Sequence, residues 1–200
     1  LSTSVTACMS SSNTVDKTQS MHVASKVSAN ETGNIAESKK LDVLLAHYFA
    51  EFLARNPLEA TSVGEHQYND QFTAPISQER LQQDLAFHQK YLSKINEIDV
   101  SLLKGQELLS YQVFKRDREI ALKGFEFPEH YIPFNQMYGI HNDFAVLGSG
   151  TSSHPFNTQE DYNDFAKRAV GFAQYMQSAV VSMREGIKQD VVLPLSFIHI

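Results

Sequence analysis

Leu41-Asp42-Val43-Leu44-Leu45-Ala46-His47-Tyr48-Phe49-Ala50-Glu51-Phe52-Leu53 is the stretch that decides the fold class. Its apolar residues Leu41, Leu44, Leu45, Tyr48, Phe49, Phe52 and Leu53 recur at the three- and four-residue intervals that align side chains along one helical face. Ser38 is a candidate N-cap ahead of this run, and Asn56-Pro57 closes it, because the residue before a proline is pushed out of the helical region. Asn56 can in turn cap a short second helix with Pro57 in its first position and Gly64 just past its end.

The pattern continues toward the C-terminus. Residues 65–76 read as loop, and Ser77 then caps a helix whose Leu81, Leu85, His88, Leu92 and Ile95 form a packing seam. His88 on that seam reads as a hydrogen-bonded core histidine rather than a ligand, since no second ligand stands four residues away. A further helix is expected over about 106–122, with Leu109, Val113 and Ile120 inward. Its Lys115-Arg116-Asp117-Arg118-Glu119 run balances its own charge and reads as a solvated face. Thr158-Gln159-Glu160-Asp161 resembles a capping box. Behind it, Tyr162, Phe165, Ala169, Phe172, Ala173, Met176, Val180, Met183 and Ile187 keep helical spacing, with Ala166, Ala169 and Ala173 allowing close helix contact. No alternating strand pattern of useful length appears beyond the ambiguous Val191-Val192-Leu193. The expectation is an all-α, multi-helix array.

Toward the N-terminus the composition changes. All 21 aromatic residues (13 Phe and 8 Tyr) lie after position 47, while residues 1–40 hold 14 Ser and Thr. Val5-Thr6-Ala7-Cys8 resembles a bacterial lipobox, with an aliphatic residue and two small residues ahead of the only cysteine. Thioether acylation of Cys8, cleavage before it and acylation of the new amine would bury several chains, each CH₂ contributing about 0.8 kcal/mol. Residues 1–8 then read as a signal-peptide remnant. Residues 9–38 read as a flexible tether too polar to offset its ordering entropy, and 39–200 as the helical part. Met9-Ser10 after the cysteine favours outer-membrane over inner-membrane sorting, so the expected location is the cell envelope, held through the lipid anchor. The apolar ending Asp190–Ile200 suggests the N-terminal part of something longer.

Composition excludes several functions. With 17 basic against 23 acidic residues, a net charge of −6 and no basic cluster, nucleic-acid binding is not expected. A single cysteine rules out an internal disulfide and a multi-cysteine zinc site. No run of about 18 apolar residues is present to span a bilayer. The stretch least like scaffold is 124–157, which carries His130, His141 and His154 among Gly and Pro residues. It contains no His-Glu-x-x-His motif, and Glu65-His66 and Glu129-His130 are merely adjacent pairs. His141 and Asp143 stand two apart and do not face each other on a helix. Gly148-Ser149-Gly150 lacks the spacing of a nucleophile elbow or a phosphate loop. No catalytic set is visible.

Four blocks in order carry a resemblance. They are Asn56-Pro57-Leu58-Glu59-Ala60-Thr61-Ser62-Val63-Gly64, then Ser110–Arg116, then Pro133-Phe134-Asn135-Gln136-Met137-Tyr138-Gly139. The fourth runs from Pro155-Phe156 through Thr158–Tyr162 and Arg168 to Met183-Arg184-Glu185-Gly186-Ile187 and Pro194. Over about residues 40–197 the chain resembles the bacterial domain-of-unknown-function 885 family. Asp190 departs from that pattern, which leads one to expect Gly before the Val-x-x-Pro turn.

The resemblance implies a helical, zincin-like fold around a long cleft and a zinc-dependent, peptidase-like hydrolase. Its zinc and its His-Glu motif would lie outside this chain. There a metal-bound water would attack a peptide carbonyl, with a Glu as general base. If residues here touch a peptide substrate, Asn135, Gln136, Tyr138 and His141 are the candidates. The competing reading is a non-catalytic envelope lipoprotein that binds or scaffolds through the same helices.

Overall fold

The computed structural model describes residues 15–135 and 139–194, and of residues 15–32 the backbone. Among the described residues there are six α-helices and no strand: α1 (Val15–Arg55), α2 (Pro57–Ser62), α3 (Gln78–Asn96), α4 (Gly105–Gly124), α5 (Ile140–Leu147) and α6 (Gln159–Lys188); five answer to the periodicity, and α5 lies inside the 124–157 stretch that reads as irregular. Short 3₁₀ turns at His66–Tyr68, Val100–Leu102 and Glu129–Tyr131 shape the connections.

Local signals place most helix ends. Ser77 accepts a hydrogen bond from the backbone N–H of Arg80 and caps α3. Thr158 and Asp161 form the reciprocal capping box of α6. Pro57 opens α2, but the Asn56 side chain donates back to the Phe52 carbonyl rather than capping. Gly64, at φ +88°, ends α2: its N–H bonds the Thr61 carbonyl and that of Glu65 the Ala60 carbonyl.

The N-terminal boundary differs from expectation. Ser38 lies inside α1, which starts 23 residues earlier, so residues 15–38 are helix rather than flexible tether. The stretch contains no proline and a single glycine, Gly33, and helix propagates cheaply once the Leu41–Leu53 face has nucleated it. Tertiary contacts then fasten its last turns: Asn34 donates to the Leu102 carbonyl, and buried Glu37 accepts from the Asp99 N–H.

The first core lies among α1, α3 and α4. Leu41, Leu44, Phe87, Tyr91, Ile95, Ile98, Leu103, Tyr111 and Phe114 form one buried cluster. Tyr48 stands at its centre, its ring within 4.9–5.8 Å of the rings of Phe52, Phe87, Tyr91 and Phe114. Arg55 at the end of α1 binds Asp84 of α3 at 2.6 Å, and Arg80 reaches both Asp84 and the Arg55 carbonyl. A second aromatic cluster joins the 66–72 turn, α5 and α6 through Phe72, Phe144, Phe165, Phe172 and Tyr175.

Two helices are rotated from the expected phase. On α4 the inward row is Tyr111, Phe114 and Arg118, while Leu109, Val113 and Ile120 are 52%, 60% and 56% exposed. Arg118 is thus buried, not solvated: its guanidinium stacks over the Tyr48 ring at 4.4 Å, pairs with Asp117 and meets His88. On α6 the buried row is Arg168, Ala179, Ser182 and Gly186, flanked by Phe172 and Tyr175. Tyr162, Val180 and Ile187 of the expected face are exposed, and Met176 and Met183 half-covered.

Asp190 has φ +57° and follows the α6 C-cap, Gln189. The Asp190 N–H bonds the Ile187 carbonyl and the Val191 N–H the Gly186 carbonyl, the paired bonds of a left-handed helix stop. A Cβ strains that conformation by about 1–2 kcal/mol, less for Asp, against about 0.4–1 kcal/mol of unfolded-state entropy that glycine adds. Asp190→Gly is therefore expected to stabilise the fold by about 0.5 kcal/mol, read as a rise of one to two degrees in Tm. A fall in Tm would show that the Asp190 side chain makes a compensating bond.

Candidate functional site

Of the four residues singled out for substrate contact, Asn135 and His141 are described; Gln136 and Tyr138, like Cys8, lie outside the described residues. Asn135 is half-buried at the end of the Pro133–Asn135 segment, and His141 sits in the first turn of α5. The backbone between them is drawn tight at Gly139, where an added Cβ would stand 2.6 Å from both the Phe134 Cβ and the His141 ring. Phe134 and His141 meet edge-to-face at 5.4 Å. Among the described residues, Nδ1 of His141 is enclosed without a hydrogen-bond partner. Asp143 is exposed on α5, so the structure does not pair it with His141. Gly148-Ser149-Gly150 is the turn after α5, its Ser149 hydroxyl engaged with Thr151.

The most developed polar site lies elsewhere, around Arg168. This side chain is fully buried, and three segments converge on it: α2, the 66–72 turn and the loop at His154. Its Nε donates to the Gln71 carbonyl at 2.8 Å, and Nη2 donates to Thr61 Oγ1 at 2.8 Å and the Tyr68 carbonyl at 2.9 Å. Nη1 donates to Nδ1 of His154 at 3.1 Å, while His154 Nε2 donates to the Asp161 carbonyl at 3.0 Å. These two bonds use both ring nitrogens and fix the tautomer. Burial brings Arg168 down to about 10, so the guanidinium stays charged at neutral pH, with Asp70 and Asp164 supporting it. The cluster joins the first and last sequence blocks: Pro57 and Thr61 of α2 meet Arg168, which also holds His154.

A second arginine–histidine contact lies in the first core, where Arg118 Nη1 donates to His88 Nδ1 at 2.7 Å. The sequence reading of His88 as a hydrogen-bonded core residue holds. Burial, then the adjacent Arg118 charge, hold His88 below the usual imidazole range. An imidazole kept neutral by its fold contributes stability that is complete above its unfolded pKa of about 6.5 and is lost as pH falls from there toward the folded value. Tm is therefore expected to drop between pH 7 and 5, before the carboxylates titrate. His88→Asn, which keeps an acceptor for Arg118 but cannot gain a proton, should flatten that drop. An equal drop in the variant would assign the acid sensitivity elsewhere.

Arg168 and His154 have their polar atoms committed, and among the described residues no three His, Cys, Asp or Glu side chains converge to hold a metal ion. The described residues therefore do not fit a zinc site. Nor is any described helix long and apolar enough to cross a membrane. Sequence reasoning had Arg168 only as part of a block and His154 only as a loop residue. The available signal was an arginine on a helix otherwise rich in apolar and small residues.

These features coincide with a family assignment. Residues 57–199 match the bacterial proteins of unknown function designated DUF885, and the chain belongs to that family. Neither the curated proteins nor the solved structures give a match.

Proposed function

We propose that this chain is the N-terminal helical part of an envelope-anchored, zinc-dependent hydrolase acting on peptides. Its metal ligands and general base would lie outside these residues. The observation that carries the reading is the α6 face of Tyr162, Ala173, Val180 and Ile187, which keeps an apolar period along the helix yet remains exposed. A long amphipathic face without cover suits one wall of a cleft. Membership of the DUF885 family supports the zincin-like architecture in which such a wall would serve. The Cys8 lipobox supports attachment to the outer membrane.

The test is to extract the natural protein from its membrane and measure intact mass, bound metal and peptide hydrolysis. We expect an acylated Cys8 peptide, a mass well above the 22.5 kDa of this chain, and about one zinc per protein. A chelator should abolish hydrolysis, and added zinc should restore it. A protein without metal and without chelator-sensitive hydrolysis overturns the proposal and leaves a binding lipoprotein.

A further inference from the structure

Helix α4 carries a contact row on each of two sides. Its inward row, Tyr111, Phe114 and Arg118, is buried against the first core. Its outward row is Leu109, Val113, Arg116, Ile120, Lys123 and Phe127, at intervals of four, three, four, three and four residues. That is the spacing with which one helix lies along another. Phe127 stands past the helix end, but its N–H bonds the Gly124 carbonyl and so carries the row one turn further. Leu109, Val113, Ile120 and Phe127 are each more than half exposed, and Arg116 and Lys123 are exposed with them.

The charges along this face say what fits it. Besides Arg116 and Lys123 it exposes Asp117, Glu119 and Glu126, while Glu107 and Lys115 are half-buried and lie off it. Asp117 is spent on Arg118. Arg116, Glu119, Lys123 and Glu126 form no ion pair among the described residues. Two cations and two carboxylates thus stand open beside an apolar row, a balance that suits no strongly charged partner but suits a copy of itself. Two α4 helices laid parallel would set Arg116 beside the partner's Arg116, a like-charge contact. Laid antiparallel, with the two-fold axis between residues 117 and 118, Arg116 comes level with the partner's Glu119, and Glu119 with the partner's Arg116. In the same register Leu109 meets the partner's Phe127, Val113 the partner's Ile120, and Lys123 the amide of the partner's Gln112.

We propose that a second copy of this chain docks on α4, through an antiparallel two-fold contact of Leu109, Val113, Ile120 and Phe127 closed by reciprocal Arg116–Glu119 pairs. The contact uses α4 rather than the α6 face, and it stands or falls without the hydrolase reading. The test is sedimentation equilibrium of the 200-residue chain from about 1 μM to about 1 mM, with reductant present so that Cys8 cannot cross-link copies. We expect the mass to climb with concentration from 22.5 kDa toward twice that value and no further, because a two-fold contact is closed. Arg116→Glu and Glu119→Arg should each weaken the dimer about tenfold, since each sets like charges level. An equimolar mixture of the two variants should dimerise as tightly as the original chain, because each supplies the charge that the other lacks. Both positions are exposed, and unchanged thermal unfolding confirms the fold of each variant. A monomer at every concentration would mean that another occupant covers the row, and overturns the proposal. So do larger assemblies, undiminished association in the single variants, or a mixture that associates no better than its components.

Discussion

Arg168→Leu is expected to destabilise the fold by about 3–5 kcal/mol, a large share of the 5–15 kcal/mol that holds a typical domain. Leucine removes the cost of burying a charge, which works in the variant's favour. It also strips the Gln71 carbonyl and His154 Nδ1 of their donor and removes one of two donors from the Tyr68 carbonyl, which keeps the Gln71 N–H. Each acceptor left buried without a partner costs about 1–3 kcal/mol, so the losses win. Arg168→Lys should fall between, because one ammonium cannot reach acceptors spread across a planar fork. Urea unfolding followed by circular dichroism gives the difference directly. A loss under about 1 kcal/mol would mean that water replaces the guanidinium, and that the convergence of α2, the 66–72 turn and α6 does not depend on it.

Gly186→Val sets two effects against each other. Valine is favoured over glycine in a helix by a few tenths of a kcal/mol. Against this, an added Cβ at position 186 would lie 2.8 Å from the Tyr131 Cβ and 3.0 Å from the Val191 carbonyl oxygen. Neither neighbour is the loose end of a side chain. The Ser182 hydroxyl already holds the 128–131 turn against α6 by donating to the His130 carbonyl at 2.7 Å. Overpacking of this kind costs about 1–3 kcal/mol, more for a branched side chain, so a net loss of about 2 kcal/mol is expected. Hydrogen exchange should quicken at Tyr131 and Ile132 before it does in the α1–α3–α4 core. Unchanged exchange there would show that the turn yields without cost.

What could be read in advance was whatever neighbouring residues decide. The caps at Ser77 and Thr158, the proline start at Pro57 and the glycine stop at Gly64 each depend on bonds spanning a few residues, and each lies where the sequence places it. The Asp190 departure likewise falls on a left-handed residue. Helix phase was not legible, because an apolar stripe shows that a helix has a face without naming its neighbour. On α4 the stripe of Leu109, Val113 and Ile120 points outward, and the core is met by Tyr111, Phe114 and a charged residue, Arg118. On α6 the contact row includes Arg168, Ser182 and Gly186, residues that a hydrophobic count passes over. Their value lies in partners more than 50 residues away in sequence, such as Thr61, Tyr68 and His130. The candidate site was legible only as a loop of unusual composition: Asn135 and His141 flank a tight glycine, and the Arg168–His154 contact stayed hidden between two blocks.

The length of α1 changes what an anchor at Cys8 would accomplish. A coil only limits how far a body can wander; it leaves every orientation open and fills a hemisphere of positions. Forty-one residues of helix make instead a rod of about 60 Å that is part of the body itself, since its last turns belong to the first core. With six residues between Cys8 and Val15, the rod's foot would stay close to the lipid. Tilt would then be the principal freedom left, and the outward faces of α4 and α6 would sweep a shell of nearly constant height above the bilayer. Shortening the rod by whole turns would lower that shell by about 5.4 Å per turn and keep the body's facing, whereas removing two residues would turn it through roughly half a revolution.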